Sequence, residues 1–87
     1  MKIFSEVSDE LVEECYSQIS INVKRIRKEQ KKTQEEVALA MGFTTATFYT
    51  NAESNKRGKH FNLEHLIKIS IILDVSMCRF FEKTVFM

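Results

Sequence analysis

A chain of 87 residues with no proline, and with glycine only at Gly42 and Gly58, has few ways to turn sharply. A strand-built domain needs a tight turn every 8–12 residues or so, and Gly and Pro supply most of them. An all-α fold is therefore favoured. The length suffices for one domain and leaves no room for a second. A domain this small buries only about 60–65 % of its unfolded surface, so its core is small and any cavity in it is costly. Hydrophobic residues are 44 % and charged residues 29 %, a globular composition.

The net charge of +1 hides an uneven distribution. Residues 1–21 carry Lys2 against Glu6, Asp9, Glu10, Glu13 and Glu14. Residues 22–32 carry Lys24, Arg25, Arg27, Lys28, Lys31 and Lys32 against Glu29, and Lys56, Arg57 and Lys59 form a second basic cluster. Such asymmetry points to a side that meets a polyanion. A solvated helix end is the rival reading, because cations near a helix C-terminus also complement its dipole.

Hydrophobic spacing predicts a first helix over 8–30, with Leu11, Val12, Cys15, Tyr16, Ile19, Val23 and Ile26 on one face and Ser8 or Asp9 as its cap. Thr33-Gln34-Glu35-Glu36 is a capping box that opens a second helix, which Gly42 ends. A third, short helix is expected over about 45–53, capped by Thr44 and held to the core by Phe48 and Ala52. Its threonines and aromatics are weak helix formers, so packing must sustain it. Residues 54–61 read as loop, with Asn55 and Gly58 as positive-φ positions. Asn62 caps a fourth helix, apolar on most sides and therefore expected at the centre, and Ser76 caps a fifth that holds Met77, Phe80 and Phe81.

The informative unit is 33–53, where two short helices flank a glycine turn. That is the layout of a helix-turn-helix. With Phe48 turned inward, the face left on the third helix is Thr45, Ala46, Tyr49 and Thr50. Small and polar residues on a poor helix make sense if it lies in a groove where bulk would clash and hydroxyls can meet base edges.

Thr33-Gln34-Glu35-Glu36-Val37-Ala38, Met41-Gly42-Phe43-Thr44 and Thr47-Phe48 together resemble the signature of the lambda repressor/Cro-like, or XRE, helix-turn-helix family. Val23-Lys24-Arg25-Ile26-Arg27 before them resembles its first helix, and Leu63 to Ile69, Leu73-Asp74-Val75 and Phe80-Phe81 resemble its ending. The resemblance covers about 22–82 and implies a five-helix lambda-repressor-like domain, here with an extended first helix. It implies a regulator that binds double-stranded DNA. Gln34 would meet a phosphate, and Thr44, Thr45, Ala46, Tyr49 and Thr50 would face the major groove. Lys56, Arg57 and Lys59 would contact the flanking backbone, and Arg27 would pair internally with Glu53. Two departures stand out. Lys31-Lys32 replaces the usual Gly-Leu, and Glu53 falls one residue late, as if the third helix or its exit held an insertion.

Other chemistry has little support. No nucleophile, base and orienting group are grouped as in an enzyme, and no His or Cys pair stands at metal-ligand spacing, so neither catalysis nor a cofactor nor a metal is expected. Cys15 is expected in the core and Cys78 in the core or at an interface. The N-terminus lacks the apolar stretch of a signal peptide and no apolar run could span a membrane, so a cytoplasmic protein is expected. Phe4, Val7 and Leu11 at one end, and Phe80, Phe81, Val85, Phe86 and Met87 at the other, exceed what a small core needs. They suggest a homodimer or a partner protein at the apolar termini, unless the tail folds back over the first helix. Two alternatives share the fold. One is the antitoxin of a toxin–antitoxin pair, and the other is a helix-turn-helix used only for protein contacts.

Overall fold

The computed structural model describes residues 7–83. Phe4, Val85, Phe86 and Met87, part of the apolar ends singled out above, lie outside the described residues. In order come α1 (Asp9–Glu29), α2 (Gln34–Ala40), α3 (Thr47–Glu53), α4 (Leu63–Leu73) and a 3₁₀ segment (Met77–Phe81). No strand occurs among the described residues.

Local chemistry sets most of the helix starts. The Ser8 hydroxyl accepts from the Leu11 N–H at 3.1 Å and opens α1. Thr33 and Glu36 form the reciprocal capping box of α2, each bond 3.0 Å. Asn62 and His65 form another at α4, where the imidazole Nδ1 accepts from the Asn62 N–H. Each arrangement satisfies N–H groups that a helix start would otherwise leave open.

The helix ends show how a glycine-poor chain stops a helix. The residue after each α-helix, or one beyond it, takes the left-handed conformation, at Lys31, Gly42, Asn55 and Asp74. At all four, paired backbone bonds close the turn in the Schellman pattern. Lys32 N–H reaches Arg27 O, Phe43 N–H reaches Ala38 O, Lys56 N–H reaches Asn51 O, and Val75 N–H reaches Ser70 O. Only one of the four is glycine, so the other three carry Cβ strain of order 1 kcal/mol each.

The core joins Val23 and Ile26 of α1, Val37, Ala38 and Met41 around α2, and Tyr49 and Ala52 of α3. Phe61, then Leu66, Ile69 and Leu73 of α4, and Phe80 complete it. Polar cross-links tie α1 to its neighbours. The Ser20 hydroxyl donates to Ala52 O at 2.9 Å, and the Asn22 amide donates to Phe80 O and Glu82 O at 2.9 and 2.7 Å. Every buried residue of α1 lies between Ser20 and Arg27, so its first two turns stand out from the bundle.

Several expectations are corrected. The fifth helix is a single 3₁₀ segment, with Ser76 capping through the Cys78 N–H. Thr44 caps nothing, because α3 begins at Thr47 behind Ala46 and has no side-chain cap. Cys15 is exposed, since the bundle ends before that turn of α1, and Cys78 is exposed too. The fourth helix is not buried on most sides at the centre. It buries Leu66, Ile69, Ser70 and Leu73 and exposes Leu63, Ile67 and Ile71, one turn apart each.

Candidate nucleic-acid interface

The orientation of α3 follows from which residues it buries. Tyr49, Ala52 and Glu53 are buried. Tyr49 and Glu53 are four apart and Ala52 lies between them, so all three share one side of the helix. The Tyr49 ring meets Phe61, centroids 5.3 Å apart. Tyr49 was expected in the groove and Phe48 in the core. The structure buries Tyr49 fully, on the same side as Glu53, and leaves Phe48 partly buried against the edge of the core. Phe48 is half-buried and rests against Phe43 and His65, with centroids at 5.3 and 4.9 Å. Within α3 itself, Tyr49 and Glu53 stand one turn apart on the buried side. The spacing from Tyr49 to Glu53 was the available signal, and pairing Arg27 with Glu53 would have picked it out.

A polar lock holds this orientation. Arg27 Nε and Nη2 donate to Glu53 Oε2 and Oε1, each at 2.9 Å, while Nη1 donates to Lys32 O at 2.7 Å. Gln34 Nε2 donates to Glu53 Oε1 at 3.0 Å, and the Thr50 hydroxyl donates to Gln34 Oε1 at 3.3 Å. One carboxylate thus joins α1, α2 and α3. Burial alone would raise the Glu53 carboxyl, but the hydrogen bonds from Arg27 and Gln34, with the Tyr49 hydroxyl nearby, outweigh it and hold its pKa below the usual carboxylate range. The bond to Glu53 raises the Arg27 pKa. Burial, with Glu53 adding to it, pushes the Tyr49 phenol up, so it stays neutral.

Among the expected site residues, Thr44 and Thr45 are exposed in the turn that leads into α3, and Ala46 is half-buried against the core. Thr50 is half-buried with its hydroxyl spent on Gln34, and both ends of the Gln34 amide are turned to Thr50 and Glu53. In this arrangement the Gln34 side chain braces α3 from within. Lys56, Arg57 and Lys59 are exposed in the loop that leaves α3. That loop is shaped by positive φ at Asn55, Arg57 and Gly58 and by the Lys59 N–H to Lys56 O bond of 2.9 Å.

The side of α3 away from Tyr49, Ala52 and Glu53 carries residues that the sequence reading passed over. At about 100° per residue, Thr47, Asn51 and Ser54 lie opposite the buried side. Thr47 and Ser54 are exposed and Asn51 is half-buried. The small polar face exists, but it is rotated from the one expected.

No cluster of His, Cys, Asp and Glu that could hold a metal occurs among the described residues. No helix among them is long and apolar enough to cross a membrane. No curated protein and no solved structure matches the chain. A family model for the helix-turn-helix does match, over residues 23–80, more than half of the chain and all of the region that carries α2, α3 and the Arg27–Glu53 pair. The chain therefore belongs to the XRE-type, lambda repressor/Cro-like helix-turn-helix family of DNA-binding domains.

Proposed function

We propose that this protein is a transcriptional regulator that binds double-stranded DNA sequence-specifically as a homodimer, with α3 in the major groove. The observation that carries this reading is the outward side of α3. It is small and polar, exposed at Thr47 and Ser54 and half-buried at Asn51, and three cations, Lys56, Arg57 and Lys59, follow it. Thr45, at the entry to α3, and Thr47, Asn51 and Ser54, along it, meet base edges or groove walls. The three cations meet phosphates, which position the protein without specifying sequence. A two-fold dimer sets two such helices one DNA turn apart, roughly 34–36 Å, and reads a palindrome.

Gel-shift affinity against salt on DNA selected from a random pool tests the reading. With about six phosphates neutralised per dimer, log K falls against log salt with a slope of about −5. No complex at ~50 mM salt overturns DNA binding. A selected consensus without two-fold symmetry overturns the dimer. Reversing all three loop cations to Glu abolishes the shift, whereas a helix-turn-helix used only for protein contacts would bind no DNA with either version.

A further inference from the structure

Resting on that reading, we infer that Asn51 is the residue that selects adenine, one A·T pair in each half-site. Three observations converge on it. Asn51 stands opposite Tyr49, Ala52 and Glu53, at the middle of the outward side of α3. Its neighbours on that side, Thr47 and Ser54, carry single hydroxyls that do not tell one base from another, whereas a carboxamide is bidentate. Of the polar side chains at the junction of α2 and α3, Thr50 is already bonded to Gln34, and Gln34 to Glu53. The Asn51 carbonyl accepts from the Lys56 N–H at 2.8 Å, and its carboxamide makes no hydrogen bond among the described residues.

The residue type is otherwise unexplained. Asparagine is among the weaker helix formers, and at a position that needs no burial a better one would serve. A carboxamide presents one donor and one acceptor side by side. Adenine in the major groove presents the N7 acceptor and the N6 donor at the matching spacing, so Nδ2 donates to N7 and Oδ1 accepts from N6–H. Guanine offers two acceptors there and leaves Oδ1 unmatched. Thr47, one turn earlier on the same side, adds a methyl group that can lie against a neighbouring thymine methyl.

The experiment selects bound sequences from random DNA with the wild-type protein and with Asn51→Ala. The wild-type consensus contains an adenine in each half-site whose replacement by guanine weakens binding roughly 5- to 150-fold. In Asn51→Ala that one preference disappears, while the other positions and the salt slope stay unchanged. Replacing the same adenine by 7-deaza-adenine weakens the wild-type complex and leaves the Asn51→Ala complex unaffected. Thermal unfolding of Asn51→Ala is unchanged or slightly raised, because alanine is the better helix former, so lost discrimination is not lost folding. An Asn51→Ala protein that keeps the full wild-type consensus overturns the assignment and leaves DNA recognition standing. Wild-type protein that binds no DNA, or binds it without sequence preference, removes the functional reading and this inference with it.

Discussion

The Arg27 guanidinium grips the Glu53 carboxylate with two parallel bonds of 2.9 Å, and the carboxylate side chain is 1 % exposed. The two residues come from α1 and α3, which the Ser20 hydroxyl also joins through Ala52 O. Removing one partner leaves an uncompensated buried charge, which costs about 3–5 kcal/mol. Glu53→Ala and Arg27→Ala are each expected to lower Tm by more than ~12 °C, at about 4–8 °C per kcal/mol for a domain of this size. The double variant Arg27→Met/Glu53→Leu is expected to recover much of that loss, because it removes both charges and keeps the volume. Denaturant titration of the three proteins checks this.

Stability is expected to fall with acid in two stages. The Glu53 carboxyl is held below its ordinary range in the fold, so it contributes stability that is complete above about pH 4.3, its unfolded value, and is lost as pH falls through the folded value. Burial lowers the His65 pKa, with Glu64 raising and Lys68 lowering it more weakly. The fold prefers the neutral ring, whose Nδ1 accepts the Asn62 N–H. That contribution is present above about pH 6.5 and declines below it as the unfolded chain takes up the proton. Tm measured from pH 8 to pH 3 should sag gently below ~6.5 and drop steeply below ~4. His65→Gln keeps the capping box and should abolish the first stage alone.

Lys31 ends α1 with φ at +58°. A side chain there is strained, and glycine relieves it while giving back part of the gain through a freer unfolded chain. Lys31→Gly is expected to stabilise the protein by about 0.5–1 kcal/mol, a rise in Tm of a few degrees. A fall in Tm would show that the lysine stem contributes packing that outweighs the strain.

Tyr49 separates the expected groove position from the observed core position. Its hydroxyl is buried without a well-formed hydrogen bond, so Tyr49→Phe should change stability by less than about 1 kcal/mol. It should leave DNA affinity unchanged. Tyr49→Ala, which empties a fully buried site, should cost about 3–5 kcal/mol. A loss of DNA affinity in the folded Tyr49→Phe protein would contradict the orientation of α3.

The reading of the sequence succeeded where the signal was short-range. Ser8, Thr33 and Asn62 cap as expected, and Gly42, Asn55 and Gly58 take positive φ, because each needs only neighbours within a few residues. The Arg27–Glu53 pair was also legible, through the resemblance that placed both residues. The exposed Cys15 and the Leu63, Ile67 and Ile71 stripe were not. Apolar periodicity shows that a face exists, while the extent of the surrounding bundle decides how much of it is covered.

By itself the sequence determined an all-helical chain, where most of its helices begin and end, and the family it belongs to. Only the tertiary structure decided which way α3 faces. Phe48 and Tyr49 are adjacent aromatics of similar size, so local propensity cannot choose between them. The choice was made by Phe61 and by the distant Arg27, which fixes Glu53 and with it the residue four positions before. A slip of one residue turns a helix by about 100°, so contacts made across the chain settled whether Tyr49 or Asn51 looks outward.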